Sequence, residues 1–160
     1  MWEESKVVFA DISLPGSNND QAAWIAPFNT PAYQAAQAAE VSSRTAADLA
    51  WLEQAFAQAN ADDSAGVLIF EQADMWDPTA ALSGYTQVIA KLTQLAQDFG
   101  KPVLLIEGDS HNYLVDSPIA AAPNIQRVVV QGGASNPIAW LKITIDPRGS
   151  QLFTLENVQP

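Results

Sequence analysis

Three short apolar runs, separated by stretches of helix-forming residues, constrain the fold of this chain more than any other feature. The runs are KVVFADI (6–12), GVLIFEQ (66–72) and KPVLLIE (101–107). Continuous runs of β-branched, aliphatic and aromatic residues are typical of strands that are buried on both faces. Because helical segments lie between the runs, we expect the strands to pair in parallel, with helices packed on the sheet.

Two helices are predicted between these runs. The first begins at Pro31 with Thr30 as its N-cap and continues to about residue 60, and the pair Ser42–Ser43 is a point where it could divide. The second follows Ser83 as its cap and ends at Gly100. In the first helix, apolar or small residues recur at spacings of three and four, as an amphipathic helix requires: Val41, Thr45, Leu49, Leu52, Phe56 and Ala59.

After Pro123 the pattern becomes entirely β. The segments NIQRVVVQ (124–131), IAWLKITID (138–146) and SQLFTLENV (150–158) are joined by the turns GGASNP and PRG. Three strands with short turns predict an antiparallel meander. The predicted fold class is therefore α/β, with the order β-α-β-α-β followed by an antiparallel β-meander, in a single domain over residues 1–160.

The charge balance excludes several classes of partner. The formal net charge is −11, from seven basic and eighteen acidic residues, so we expect neither nucleic acid nor an anionic membrane surface as a partner. No stretch approaches the ~20 apolar residues of a membrane span. The first residues carry acids where a signal peptide needs basic residues, so none is predicted within this chain. Cysteine is absent, which leaves the compartment undecided.

Polar loops follow the three predicted parallel strands, where ligand sites gather in α/β sheets. Their sequences are GSNND, EQADMWD and GDSHNY. Oxygen ligands with one imidazole suit Mg, Mn, Fe or Zn. Because His111 is the only histidine, a histidine-rich metal cluster is excluded. The loops offer nine side chains for a site: Asn18, Asn19, Glu71, Gln72, Asp74, Asp77, Asp109, His111 and Asn112.

Several of these residues also have simpler interpretations. Asn18, Asn19 and Asn112 could donate amide hydrogen bonds to a substrate, but asparagine is favoured in turns for its own conformational reasons. A lone loop histidine such as His111 is more often explained by hydrogen bonding or its charge than by metal binding. Both interpretations are left open by the residues alone.

Other catalytic motifs are missing from the sequence. The chain has no GxSxG nucleophile elbow, no GxxxxGK[ST] phosphate loop and no GxGxxG fingerprint. The adjacent residues Asp109, Ser110 and His111 cannot readily reach one another in the geometry of a catalytic triad. A pair of carboxylates that hydrolyses glycosides is left open, since eighteen acids always provide such pairs.

The order of segments along the chain resembles the C-terminal half of calcineurin-like metallophosphoesterases. The similarity is to a bacterial branch that has GDSH where many relatives have GHxH, and it implies half of a four-layer α/β sandwich. The segments that carry it are FADISLPGSNND, RTAADLAWLEQAF, QADMWDP, GKPVLLIEGDSHNYLVDSP, NIQRVVVQGG and WLKITID.

This resemblance implies a pair of divalent metals, Mn, Fe, Zn or Mg, and hydrolysis of a phosphate ester by metal-activated water. It implies that His111 is a metal ligand, that Asp109 binds metal or orients a ligand, and that Gln72 or Glu71 is a weaker substitute for a further ligand. It assigns no catalytic residue, because the family's GDxxD and GNH[ED] motifs do not occur here and the one DxH pattern, residues 109–111, is part of the GDSH segment itself.

Two functions follow as expectations. The first is a metallophosphoesterase-like segment that hydrolyses phosphate esters only together with an N-terminal half. The alternative is a non-catalytic α/β binding or assembly module that has lost the metal site. Both imply association with another chain or segment, because half of a sandwich leaves a sheet face or edge exposed.

Overall fold

A mixed sheet organises the computed structural model, which describes residues 1–132 and 138–159. Within this part of the chain the sheet has six strands in the order β1-β2-β3-β4-β6-β5. The strands are β1 (Trp2–Glu4), β2 (Val7–Asp11), β3 (Gly66–Phe70), β4 (Val103–Glu107), β5 (Leu114–Asp116) and β6 (Ile125–Val129).

The centre of the sheet is parallel, as the apolar runs predict. β2 pairs with β3 and β3 with β4, both in parallel. All five residues of β4 and the first four of β3 are buried. Such strands have no solvent-facing side, which explains why the three predicted runs are continuously apolar rather than alternating.

Two helices cover one face of this sheet: α1 (Pro31–Ala61) and α2 (Thr86–Phe99). Thr30 caps α1 as predicted, because its side chain accepts a hydrogen bond from the backbone N–H of Tyr33. The pair Ser42–Ser43 does not divide α1. Gly100 ends α2 with a φ of 67°, the left-handed conformation that glycine permits.

Ser83 does not cap α2, which corrects the prediction. Ser83 is the first residue of a 3₁₀ turn, Ser83–Tyr85, that precedes the helix. The hydroxyl of Thr86 donates instead to the carbonyl oxygen of Ser83, at 2.8 Å. The helical pattern therefore predicted α2 correctly, but the residues just before it form a 3₁₀ turn, which is tighter than an α-helix.

The main core lies between the helices and the sheet. Leu52 and Phe56 of α1 and Leu92 of α2 pack there against Val8 and Leu105 of the sheet, and all are almost fully buried. The rings of Phe56 and Phe99 meet edge to face with centroids 5.7 Å apart. These contacts explain the three- and four-residue spacings of the helices.

The predicted three-strand meander is wrong. Segment 124–131 forms β6, which pairs in parallel with β4 inside the main sheet. Only β7 (Trp140–Ile145) and β8 (Phe153–Val158) pair as an antiparallel hairpin. The physical reason is burial: four of the five residues of β6 are buried, whereas β7 alternates between exposed and half-buried residues. Most of the predicted GGASNP turn, residues 133–137, lies outside the described residues.

The β7–β8 hairpin packs on the sheet face opposite the helices. Its inward residues, including Ile143 and Phe153, contact Val7, Leu68 and Leu104 of the sheet. Beyond it, Trp2 stacks on Phe9 with ring centroids 4.8 Å apart, and Trp2 keeps 51% of its surface exposed. Among the described helices, none has the length and apolar character that crossing a membrane requires.

Candidate functional site

The loops that follow β2, β3 and β4 meet at one edge of the sheet, as the parallel pairing predicts. The backbone N–H of Ala73 donates to the carbonyl oxygen of Leu14 at 3.0 Å, and that of Gly108 donates to the carbonyl oxygen of Gln72 at 3.1 Å. The side-chain oxygen of Gln72 also accepts a hydrogen bond from the N–H of Gly16, at 2.6 Å. Gln72 therefore joins all three loops.

The loop after β2 forms one left-handed helical turn, Gly16–Asp20. Ser17, Asn18, Asn19 and Asp20 all have φ between 55° and 60°. Left-handed backbone costs roughly 1–2 kcal/mol for an ordinary residue, and Asn and Asp tolerate it best. The composition SNND therefore suits a conformation that few other sequences could adopt.

The side chains of this turn hold it in place. The amide group of Asn18 accepts from the N–H of Gly84 at 2.7 Å and donates to the hydroxyl of Ser83 at 3.2 Å. Asn19 is fully buried and donates to the hydroxyl of Thr45 at 3.1 Å, while Arg44 donates to its side-chain oxygen. Both amides, predicted as substrate contacts, thus have internal hydrogen bonds that favour the turn interpretation.

Asp109 and His111 lie on the loop after β4 and share an unusual backbone. Both are exposed and both have a φ of 58°. The carboxylate of Asp109 lies against Gly16, and the ring of His111 lies against Gly132, so closely that a methyl group on either glycine would overlap it. Because Gly16 and Gly132 have no Cβ, they leave space for the side chains of Asp109 and His111, the two predicted metal ligands.

Beneath this loop lies a buried network of charged residues, here called the acid network: Glu71, Asp74, Glu107, Asp116 and Arg127. Its centre is Arg127 of β6, which is 3% exposed. The guanidinium contacts Asp74 at 2.8 Å, Glu107 at 3.1 Å and Asp116 at 2.7 Å.

The acid network is also fixed by a ring and by its surroundings. The guanidinium of Arg127 lies 5.1 Å from the ring centroid of Trp76, within the range of a cation–π interaction. Glu71, Asp74 and Glu107 are each less than 10% exposed. These carboxyl groups are therefore largely shielded from solvent.

Burial raises the pKa of two neighbouring carboxyl groups of the acid network. Burial raises the pKa of Glu107 to about 7, against the lowering effect of Arg127. Burial and the nearby Glu107 raise the pKa of Glu71 well above its usual range, and a side-chain hydrogen bond joins the two groups. Each has one oxygen, Oε1, without another partner among the described residues. A proton shared by the two groups would satisfy both oxygens and reduce the buried negative charge.

Ser110 connects the exposed loop to the acid network. Its hydroxyl donates to Asp74 at 2.7 Å, and Asp74 in turn pairs with Arg127. Ser110 lies between Asp109 and His111 in sequence, so this bond fixes the backbone from which both side chains project. The rejected triad of Asp109, Ser110 and His111 gains no support, since the hydroxyl bonds to Asp74 instead.

The remaining predicted residues are more scattered. Asn112 is exposed on the same loop as His111. Asp77 accepts from the N–H and the hydroxyl of Thr79, each at 2.8 Å, and so stabilises its own turn. An open groove of about 480 Å³ runs between the loops after β2 and β3, where Asp11, Glu71 and Gln72 contribute to its lining.

Sequence reasoning missed three members of the acid network, Glu107, Asp116 and Arg127. For Glu107 and Arg127 the signal was present, because each is a charged residue inside a largely apolar strand, KPVLLIE or NIQRVVV. Charged residues are almost never fully buried unless they are paired. Their pairing depends on β6 lying beside β4, which the predicted meander placed elsewhere.

The residues present do not by themselves fit a metal pair. Within residues 1–132 and 138–159, no group of three or more His, Asp or Glu side chains is arranged to hold a metal ion. Glu71, a predicted substitute ligand, is buried beside Glu107, and both effects raise its pKa, while the side-chain oxygen of Gln72 accepts from the N–H of Gly16. Asp109 and His111 are therefore the predicted ligands that are left exposed.

Comparison with protein families, with curated proteins and with solved structures finds no match to this chain. Its function is therefore inferred from the residues and the geometry described above.

Proposed function

We propose that this chain is part of a metal-dependent phosphoesterase and contributes Asp109 and His111 to a site that another polypeptide segment completes. One observation carries the proposal: the loop after β4 holds both side chains exposed on left-handed backbone, at the edge where three loops meet. Strained backbone persists where the surrounding structure enforces it, and it concentrates at functional sites. Here Ser110 and the acid network supply that enforcement.

The need for another segment follows from the ligand count. A catalytic metal site takes about three protein ligands, and a pair of metals takes more. Asp109 and His111 provide two, and the nearby Glu71 and Gln72 are engaged with Glu107 and Gly16. The metals, when bound, would supply the activated water. The chain's own contribution is to hold one carboxylate and one imidazole at a fixed position.

A non-catalytic binding module is the second candidate, and the left-handed turn favours it. The amides of Asn18 and Asn19 are used for internal hydrogen bonds rather than presented to a substrate. If the other side chains of the three loops are also used for internal hydrogen bonds, the chain would keep its fold and bind a partner without catalysing a reaction. The two candidates differ in whether His111 is needed for turnover.

Hydrolysis of p-nitrophenyl phosphate with added Mn²⁺ or Zn²⁺ tests the proposal. Residues 1–160 alone should show no metal-dependent turnover. The same residues joined to, or co-expressed with, the polypeptide encoded directly upstream should show it. His111→Asn should then lower turnover by at least about 100-fold, the upper end of what loss of an outer-shell group costs. Asparagine suits the positive φ of this position, so the loop should keep its shape.

Two controls make the result specific. Asp109→Asn should lower turnover, while Asp98→Asn, which changes an exposed acid on α2, should leave it unchanged. Metal-dependent turnover by residues 1–160 alone would show that the site is already complete. Turnover of the joined protein that His111→Asn does not lower would contradict the role of His111, and absence of turnover in a folded joined protein would favour the binding module.

A further inference from the structure

A second concave surface lies on the helical side of the molecule, away from the acid network. It is a groove of about 540 Å³ between the N-terminal half of α1 and the start of α2. This volume lies within the range of sites for small molecules. The left-handed turn separates it from the loop edge, because Gly16 of that turn faces Asp109 and Asn18 faces Gly84, which lines the groove.

The lining of this groove is uncharged. Among the described residues that line it, none is Asp, Glu, Lys or Arg, although the chain has eighteen acids. Its polar part consists of four glutamines, Gln21, Gln34, Gln37 and Gln87, together with Ser42 and Thr45. The apolar part is small and aliphatic. Such a surface offers nothing to neutralise an ionic ligand, and therefore favours a neutral one.

Gln37 presents an oriented acceptor to the groove. The residue is 8% exposed, and its amide nitrogen donates to the carbonyl oxygens of Asp20 at 2.5 Å and of Ala22 at 2.9 Å. These two bonds fix which end of the amide is oxygen. No donor among the described residues reaches that oxygen, and it is not one of the sealed polar atoms. The oxygen of Gln37 is therefore accessible to a hydrogen-bond donor of a ligand.

Gln34 repeats this arrangement one helical turn earlier. Its amide nitrogen donates to the carbonyl oxygen of Asn29 at 3.3 Å, which leaves its oxygen as an acceptor beside the groove. Two amide oxygens three residues apart lie on the same helix face. A ligand with several hydroxyl groups would supply donors to both.

We propose that this groove binds a neutral saccharide of one or two rings. The hydroxyl groups donate to the oxygens of Gln34 and Gln37, and an apolar sugar face packs against Val41 and Leu49 of the lining. The absence of charged residues from the described lining distinguishes this ligand from a phosphate ester. The proposal is independent of Asp109 and His111.

Titration of ¹⁵N-labelled residues 1–160 with cellobiose, maltose or N-acetylglucosamine tests the groove. With at least one of these sugars at about 20 mM, we expect saturable shifts of the side-chain amides of Gln34 and Gln37 and of the backbone amide of Leu49. A millimolar dissociation constant, about −4 kcal/mol, suits so few hydrogen bonds. Absence of shifts with all three sugars, or shifts confined to other surfaces, would overturn the proposal.

A pair of neighbouring alanines on α1 provides the matched variants. Ala46 lines the groove and Ala47 does not, and both are exposed, so an arginine at either position should leave the fold intact. Ala46→Arg should abolish the shifts and Ala47→Arg should preserve them. Equal behaviour of the two variants would contradict the groove. A neutral capped peptide, N-acetyl-trialanine amide, that produces the same shifts where the sugars produce none would replace the saccharide by a peptide.

Discussion

The acid network and the exposed pair of Asp109 and His111 lie one above the other and are built in opposite ways. The network is buried and paired around Arg127, whereas the pair is exposed on strained backbone. The network joins the loop after β3 to β4, β5 and β6. Under the proposed function, the network maintains the fold and the pair serves the chemistry.

Removing the cation of the acid network should have the largest effect. Arg127→Met leaves Asp74, Asp116 and Glu107 without their counter-charge, and loss of one partner from a buried ion pair costs roughly 3–5 kcal/mol. Urea denaturation at pH 7 measures this loss. Lys142→Met, which breaks the exposed pair with Glu156, should cost under about 1 kcal/mol. Similar losses of unfolding free energy in the two variants would contradict the central role of the buried Arg127 in the acid network.

The raised pKa of Glu107 predicts that stability falls as pH rises. Because the folded pKa of Glu107 is raised from 4.5 to about 7, the folded state keeps a proton that the unfolded state releases. This stabilisation is complete below pH 4.5 and is lost as pH rises through 7. The free energy of unfolding should therefore decrease by on the order of 3 kcal/mol over that window. Glu107→Gln should reduce the slope without abolishing it, because burial also raises the pKa of Glu71; an unchanged slope would contradict the contribution of Glu107.

The sequence predicted the elements better than their pairing. The runs at 6–12, 66–72 and 101–107 specify buried strands by local composition, and the loops after them then meet because parallel strands end together. The meander failed because the partner of β6 is chosen by burial against β4, a contact remote in sequence. The acid network depends on the same remote pairing, so Arg127 could be suspected from its apolar strand but not assigned its partners.

The sequence predicted Asp109 and His111 as site residues, but it did not predict their backbone conformation. GDSH marked Asp109 and His111, and the polar loop marked Asn18 and Asn19. Neither motif reveals that these residues adopt positive φ, because that conformation is stabilised by tertiary partners such as Gly84 and Thr45. The role of the asparagines as anchors therefore became clear only from their hydrogen bonds.

Cutting the link between the two regions should have an intermediate effect. Ser110→Ala removes one hydrogen bond to the charged Asp74 and should cost roughly 1–2 kcal/mol. Amide hydrogen exchange should also quicken in residues 108–112 while β4 stays protected. Faster exchange throughout β4 would show instead that the loop and the network are one structural unit.

The central claim concerns the pair itself: Asp109 and His111 are held by the fold without being needed for it. The most direct test is urea denaturation of the double variant Asp109→Asn with His111→Asn at pH 7, because asparagine suits the positive φ of both positions. The predicted result is a free energy of unfolding within about 0.5 kcal/mol of the original, as for most exposed substitutions. A loss of about 2 kcal/mol or more would contradict the claim and make the pair part of the structural network.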